Sequence, residues 1–363
     1  MSGPQHADEA IQRILRTLRT QLDLDVAFVS QIGNGRQVVR YVDTDTTGTG
    51  VVVGAQDPGT HLGVPVTLSD GTAYGTLCCF STSVKTKVDD DAALAMRLMS
   101  ALIANFIDDV EARRHRDEKR RRQLCSITAD RDLTMVFQPI VGVPDRQFAG
   151  FEALARFPRL AQNPLEVFND AWALGVGIDL EIKAVRAALG YFRLLSASMF
   201  MTVNVSPITL TNPAFYSMIE QSRVSAHRMV IEVTEHAAVS DYDALLTATA
   251  QLRCLGVRLA IDDVGMGFSG LNHIVRVQPD IIKLDAGLVR DVDSNVAKQA
   301  MVEALVSFAA RTSTMVIAEG VETEAELACV AEIGVTHAQG YLIRRPRPLT
   351  IGRPLMPEHV GVG

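Results

Sequence analysis

Carboxylate and amide side chains stand at the ends of apolar, strand-like runs through most of the chain after residue 130. In AIDDVGMGFSG, residues 260 to 270, Asp262 and Asp263 end such a run. Other runs end in Glu152, Asn204, Glu232, Lys283 with Asp285, Glu319 and Gln339. If these ends meet at one mouth, the ionised acids repel one another unless cations are bound. Because the donors are all oxygens, the pattern predicts Mg²⁺ or Mn²⁺, with acids enough for two ions.

Two divalent ions in one site are suited to in-line attack on a phosphodiester. Lys283 emerges from the apolar run IIKL into this mouth. It would assist the attacking water or neutralise the charge that develops on phosphorus. The alternative for Lys283 is a structural salt bridge to Asp285.

The glycines at 265, 267 and 270 spell G-x-G-x-x-G, a pattern typical of dinucleotide cofactor sites. Two carboxylates directly before such a loop would repel a pyrophosphate, so a nicotinamide-dependent oxidoreductase is disfavoured. Adjacent residues of a strand point to opposite faces. Asp262 and Asp263 therefore reach one metal cluster only if the chain leaves the regular pleat, and the following glycines supply that freedom.

Eight short apolar runs follow residue 133, with helical stretches between most of them. They are TMVFQPIV, FAGFEALARF, MFMTVNVS, MVIEVTEH, VRLAIDD, DIIKLD, TMVIAEGVE and THAQGYLI. Eight strands in about 230 residues predict an α/β fold of the (β/α)₈ TIM-barrel type. The GVPDRQ loop between the first two runs is too short for a crossover helix, so this pair should be antiparallel.

The amino-terminal part is predicted to be a small α+β domain, residues 1–87, with a helix over 8–22 and four strands. Ser69-Asp70-Gly71 marks a tight hairpin. Residues 88–128 form a long connecting helix whose apolar stripe is Ala95, Met99, Leu102, Phe106 and Val110. Its run RRHRDEKRRRQ is interpreted as a solvated face rather than a nucleic-acid patch. Residues 129–363 form the barrel domain.

Composition excludes several classes of partner. Of 363 residues, 47% are hydrophobic and 21% charged, and the net charge is −7. This balance argues against binding to nucleic-acid polymers or membrane surfaces, which requires excess Lys and Arg. The five cysteines fall in no C-x-x-C arrangement and no apolar run is long enough to span a bilayer, so we expect a cytoplasmic protein with reduced thiols.

The barrel motifs resemble those of the EAL family of cyclic di-GMP phosphodiesterases. The shared motifs, in order, are FQPIV, FEALARF, NVS, EVTE, IDDVGMGFSGL, IKLD, AEGVET and QGYLI, over about residues 130 to 348. The resemblance implies hydrolysis of cyclic di-GMP to linear pGpG in a two-metal site. The alternative is a catalytically silent cyclic di-GMP receptor, but retention of every proposed ligand and of Lys283 favours the enzyme.

The resemblance also implies a role for each site residue. The implied metal ligands are Glu152, Asn204, Glu232, Asp262, Asp263 and Glu319. The implied catalytic residues are Lys283, Glu152, Asp262, Gln339 and Glu235, of which Gln339 lies near the attacking water and Glu235 anchors the glycine-rich loop. Gln138, Arg156 and Asp285 are assigned to substrate binding, Arg156 through phosphate.

Two departures from the family pattern concern the loop and one helix. Val264 and Phe268 stand where Phe and Tyr are commoner, and Trp172 replaces an acid on a helix near the mouth. The first 110 residues resemble a shortened GAF sensory domain, in DVAFVSQIGNGRQVVRYV and LGVPVTLSDGTAYGTLCCFS. We expect this domain to control the barrel, and a homodimer on family grounds and from the apolar helix stripe.

Overall fold

The computed structural model describes residues 4–33, 36–44, 60–81, 90–127, 131–160, 162–222, 224–234, 241–265 and 270–349. The chain forms two compact units, Met1–Arg120 and Arg121–Gly363. The predictions made for Glu235 and for Phe268 lie outside the described residues.

The amino-terminal unit is a four-stranded antiparallel sheet with two helices on one face. Its elements are α1 (Pro4–Gln21), β1 (Val26–Gly33), β2 (Arg36–Thr44), β3 (Thr60–Thr67), β4 (Ala73–Ser81) and the start of α2 (Asp90–Cys125), and the strand order is β2-β1-β4-β3. Ile11 and Leu15 of α1 and Met96 of α2 share one core with Leu77 of β4. The hairpin predicted at Ser69-Asp70-Gly71 is confirmed, since β3 pairs antiparallel with β4. Gly71 has the positive φ, 85°, that the tight turn requires.

Helix α2 buries a face that adjoins the predicted apolar stripe. Its buried residues in this unit are Ala92, Met96, Ser100, Ile103, Ala104 and Ile107. Ser100 stands in the middle of this face because its hydroxyl donates to the carbonyl of Pro65 at 2.7 Å, which a hydrophobic pattern cannot indicate. Of the predicted apolar stripe, Met99 and Phe106 are partly buried against this core, whereas Leu102 is 46% exposed. Leu102 forms a row with Leu94 and Leu98, which are 55% and 58% exposed. We call these three residues the leucine row.

The second unit is a closed eight-stranded barrel, as predicted. Its strands are β5 (Thr134–Gly142), β6 (Phe148–Arg156), β7 (Phe200–Asn204), β8 (Met229–Thr234), β9 (Arg258–Val264), β10 (Ile281–Leu284), β11 (Met315–Ala318) and β12 (His337–Ala338). The predicted antiparallel pairing of β5 with β6 is confirmed, and β12 pairs antiparallel with β5 to close the ring. The other neighbours run parallel.

Helices cover the outside of the barrel. They are α3 (Pro164–Ala173), α4 (Gly177–Leu189), α5 (Pro207–Leu210), α6 (Pro213–Gln221), α7 (Tyr242–Cys254), α8 (Gly270–Val277), α9 (Ala286–Val289), α10 (Val296–Thr312) and α11 (Glu324–Ile333), with short 3₁₀ helices at 192–194, 226–228 and 292–294. Several begin with an Asn or Asp side chain that accepts a backbone N–H, as Asn163 does for α3 and Asp241 for α7.

A layer of apolar side chains fills part of the barrel below the mouth. It consists of Ile140, Phe200, Val230, Ala260, Ile281 and Ile317. The seam that closes the ring is short, since only His337 and Ala338 of β12 pair with Gly142 and Val141 of β5. Within the described part of the chain, no helix combines the length and apolar character needed to cross a bilayer.

Candidate active site

Lys283 lies at the centre of the acids at the carboxyl ends of the strands. Its side chain is fully buried. Its Nζ is 2.6 Å from Glu319, 2.9 Å from Glu232, 3.1 Å from Asp262 and 3.8 Å from Glu152. The structure therefore brings four of the predicted acids to one ammonium group.

The alternative of a Lys283–Asp285 salt bridge is wrong. The ion pairs that Lys283 makes among the described residues are those with the four acids. Asp285 instead precedes α9, where its Oδ1 accepts a hydrogen bond from the backbone N–H of Gly287 at 2.6 Å. The strand has ended by Asp285, so its side chain caps the next helix instead of following Lys283 into the barrel.

The charges in this cluster are not balanced by protein groups. Burial raises the pKa of Glu232 to about 8, with Lys283 opposing the shift and Glu152 and Asp262 adding to it. Burial likewise raises the pKa of Glu319 well above its ordinary value. Burial lowers the pKa of Lys283, but the four carboxylates outweigh it and hold that pKa well above the ordinary value. Lys283 stays charged, and the surplus negative charge is relieved by protons or by added cations.

Asp262 and Asp263 reach the same place because β9 leaves its regular pleat. The pairing of β9 with β10 slips between Ile282, opposite Ile261, and Leu284, opposite Val264. Asp263 itself has a φ of 58°, in the left-handed region that Asp tolerates better than most residues. The sequence prediction placed this freedom in the following glycines. Gly265 does have a φ of 125°, but the turn begins one aspartate earlier.

The donor set fits a hard divalent cation. Carboxylate oxygens of Asp262, Asp263 and Glu319 all lie within 4.8 Å of one another. Both side-chain oxygens of Glu232 and the Oδ1 of Asp262 are buried and make no hydrogen bond of good geometry within the described part of the chain. The ammonium of Lys283 faces Glu232 Oε1 and Asp262 Oδ1 at 2.9 and 3.1 Å, and the lone pairs that it leaves unused on these oxygens suit a metal ion.

Amide side chains surround Glu152. The Nδ2 of Asn204 donates to Glu152 Oε1 at 3.0 Å, and the Nε2 of Gln339 donates to Glu152 Oε2 at 2.5 Å. The same Gln339 nitrogen lies 3.1 Å from Gln138 Oε1. These contacts join β5, β6, β7 and the residue after β12, and hold the Glu152 carboxylate from both sides.

A cavity of about 440 Å³ opens beside the acid cluster. Its lining includes Arg156, Phe168, Trp172, Glu181, Asn204 and Glu232. The guanidinium of Arg156 donates to the carbonyl of Ala155 at 2.8 Å. Of the other residues assigned to substrate, Gln138 joins the amide network and Asp285 caps α9, so both remain predictions.

The sequence reading missed Glu181 on α4. This acid is 8% exposed and accepts hydrogen bonds from the backbone N–H and the hydroxyl of Ser206, at 3.0 and 2.9 Å. It thereby fixes the segment just after Asn204. Nothing in the pattern IDLEIKAV distinguishes a buried acid from the charged residues of an ordinary helix face.

A family model places the second unit among known proteins. The EAL domain model matches residues 117–346, more than half of the chain. The chain belongs to the EAL domain family. Its EAL domain is 32% identical over 232 residues to the probable cyclic di-GMP phosphodiesterase PdeI of Escherichia coli strain K12. That alignment covers 60% of this chain and 29% of PdeI, so the chain matches under a third of this relative.

Solved structures extend the comparison. The EAL domain superposes on the PaMucR phosphodiesterase in complex with c-di-GMP with a TM-score of 0.55 and 29% identity, covering 60% of this chain and 98% of that one. The manganese and c-di-GMP complex of Klebsiella pneumoniae BlrP1 covers 89% of this chain and 96% of its own, with a TM-score of 0.56 and 22% identity, and supports the fold alone. The GAF resemblance of the amino-terminal unit and the predicted domain limits stay predictions.

Proposed function

We propose that this EAL domain hydrolyses cyclic di-GMP to linear pGpG at the mouth of its barrel. The observation that carries the proposal is the single buried ammonium of Lys283 facing four carboxylates beside an open cavity. The relatives named as cyclic di-GMP phosphodiesterases, and a structural neighbour bound to that nucleotide, support the same substrate.

Six residues are proposed to hold two divalent cations, Mg²⁺ or Mn²⁺. They are Glu152, Asn204, Glu232, Asp262, Asp263 and Glu319. When bound, such ions supply the positive charge that this cluster lacks and activate water for attack on a phosphodiester. The support for them is the all-oxygen donor set and its unbalanced charge.

The remaining roles belong to the chain's own side chains. Lys283 holds a proton and a positive charge where negative charge develops on the phosphoryl oxygens. Gln339, in contact with Gln138 and Glu152, orients the attacking water. Arg156 binds a substrate phosphate at the cavity wall.

Four further parts of the proposal rest on the sequence. Asp285 is a proposed substrate contact with one oxygen already held by Gly287, and Glu235 is proposed to anchor the loop after Asp263. The amino-terminal unit is proposed to control the barrel, and two copies of the chain to form a homodimer.

The direct test is turnover by the purified protein. Incubation of the full chain with cyclic di-GMP and Mg²⁺ or Mn²⁺ should yield pGpG, followed by chromatography. Glu152→Ala and Lys283→Ala should each abolish product, whereas Glu324→Ala, an exposed acid paired with Arg146, should not.

The silent receptor makes the opposite prediction. If the wild-type chain binds cyclic di-GMP but forms no pGpG with either metal, the phosphodiesterase proposal is wrong and the receptor hypothesis is favoured. Unchanged turnover in Glu152→Ala or Lys283→Ala would contradict the roles assigned to those residues.

A further inference from the structure

Trp172, the only tryptophan of the chain, lies in the wall of the cavity beside the acid cluster. It follows Phe168 by one turn of α3, so both rings lie on the same side of that helix. The indole lies directly against Gly177, where a Cβ atom would come within 2.4 Å of the indole Cδ2. Glycine at the start of α4 therefore makes room for the tryptophan.

The cavity has two chemically different parts. Arg156, Asn204 and Glu232 line it toward the proposed centre, and they can receive a phosphate and its metal ions. The rest is lined mostly by apolar groups, among them Phe168 and Trp172 of α3 and the small residues Ala184 and Ala188 of α4. Cores are normally packed without such voids, and about 440 Å³ lies within the range of small-molecule sites, roughly 300–1,000 Å³.

The two rings of the aromatic wall differ in their partners. Phe168 packs edge-on against Phe157, with centroids 5.6 Å apart and planes at 72°. Trp172 is half-buried, lies against Gly177 and makes no ring contact with another described aromatic residue. A flat aromatic group entering the apolar part would meet the indole.

We infer that Trp172 is a specificity-determining residue that stacks on a purine base of the substrate. The inference rests on the proposed function, since a phosphodiester held at the acid cluster directs its attached nucleoside into the adjoining apolar part. Stacking of a base on an aromatic side chain is strong and needs no hydrogen bonds to the base edge. A wall with few polar groups can therefore bind a base in this way. Recognition of the base is thereby separated from the metal chemistry.

Intrinsic fluorescence tests the contact directly, because a single tryptophan reports the whole signal. The full chain with Mn²⁺ is titrated with a phosphorothioate analogue of cyclic di-GMP that resists hydrolysis. We expect saturable quenching of the emission. Dimethyl phosphate, a phosphodiester without a base, should leave the emission unchanged.

Variants test the consequence for turnover. Trp172→Ala should raise KM for cyclic di-GMP about 5- to 150-fold, the range for loss of one stacked base, with kcat within about twofold. Trp172→Phe should recover most of the loss. Gly177→Ala, which displaces the indole, should raise KM in the same direction.

Two controls separate stacking from damage to the fold. Tyr216→Ala removes an aromatic ring on α6 outside this cavity and should leave KM unchanged. Mn²⁺ affinity, measured by calorimetry, should be the same in all variants.

The outcomes distinguish the two levels of the proposal. If the wild-type chain hydrolyses cyclic di-GMP but the emission is not quenched and Trp172→Ala keeps its KM, the inference is overturned and the proposed function stands. If the wild-type chain neither binds nor hydrolyses cyclic di-GMP, both are overturned.

Discussion

The acid cluster is organised around one buried cation. Four carboxylates lie within 4 Å of Lys283 Nζ, and a buried charge that loses its partner is far more costly than an exposed one. Lys283 therefore contributes to both stability and chemistry, and the two contributions can be measured separately.

Lys283→Met should destabilise the metal-free protein and abolish activity. Removing the ammonium leaves several buried acids without a partner, at a cost of about 3–5 kcal/mol in the free energy of unfolding. Mn²⁺ should restore much of this stability but not turnover. Thermal denaturation with and without Mn²⁺, together with the pGpG assay, measures both.

Lys119→Met is the matched control for that substitution, since Lys119 is exposed on α2. It should change neither quantity. A Lys283→Met protein as stable as the wild type without metal would show that the acids are neutralised in another way.

Metal binding should release protons near neutral pH. Burial raises the pKa of Glu232 to about 8 in the metal-free chain, so below that pH the group is protonated and must ionise before it can be a ligand. Metal affinity should thus increase as pH rises from 6 toward 8. Calorimetric titration with the metal at pH 7, in two buffers with different ionisation enthalpies, should give different apparent enthalpies of binding. Equal enthalpies in the two buffers would show that metal binding releases no protons.

The loop after β11 carries Glu319 into the cluster, and Glu326 of α11 anchors it. The Glu326 carboxylate is 4% exposed and accepts backbone N–H groups of Asp291, Glu322 and Thr323 at 2.8–3.0 Å. Burial opposes its ionisation, but these three donors hold its pKa below the ordinary value of 4.5.

Glu326→Gln should lower the free energy of unfolding at pH 7 by about 1–3 kcal/mol, because an amide cannot accept from all three donors. A depressed carboxylate pKa contributes stability above 4.5 and loses it as pH falls through the folded-state value. The gap between variant and wild type should therefore be constant from pH 6 to 8 and shrink below about pH 4.5. Urea unfolding at several pH values measures it.

Glu324→Gln in the same turn of α11 is the comparison for that series. Glu324 pairs with Arg146 at 2.6 Å but is mostly exposed, so its removal should cost less than about 1 kcal/mol. Equal losses in both variants would argue against the anchoring role of Glu326.

The position of the acids was predictable from sequence because parallel strands end on the same side of a barrel. Glu232 and Asp262 each close a run of β-branched and apolar residues, so strand assignment alone brings them together. The antiparallel β5 was equally readable, from the length of one loop. The position of the acids and the antiparallel pair both follow from the direction in which each strand runs, which the sequence pattern and the loop length indicate.

Other features depend on side-chain conformation and could not be read in this way. The left-handed conformation of Asp263 depends on a backbone angle, and the capping role of Asp285 depends on where the next helix begins. The contact between Trp172 and Gly177 depends on how α3 lies against the start of α4. Ser100 is buried on the face of α2 that packs against the sheet, because a hydroxyl with a carbonyl partner is buried as readily as an apolar group.

At the scale of the whole molecule, we propose that the expected homodimer forms its contact through the leucine row. Leu94, Leu98 and Leu102 are spaced by four residues and are each about half-exposed. The same row on two chains can pack against itself about a twofold axis. Leu102 belongs to both the predicted stripe and this row, so the proposed homodimer contact lies at the exposed edge of the stripe.

Leu98→Glu should therefore convert a dimer into a monomer, since it puts two buried like charges at the contact. Light scattering coupled to size-exclusion chromatography measures the mass. Thr20→Glu, at an exposed position of α1 outside the row, should leave the mass unchanged. A monomer mass for the wild-type chain would contradict both the proposed contact and the proposed dimer.

The barrel closes by pairing β5 with β12, the last strand in chain order, so the site is completed late in synthesis. Gln138 and Gln339 touch although 201 positions separate them, and the residue before Gln339 forms the last pair of the ring. A nascent chain on the ribosome can thus gather Glu152, Asn204 and Glu232 long before the partner of Gln138 has been translated. If the proposed function is correct, phosphodiester cleavage has to await the translation of β12.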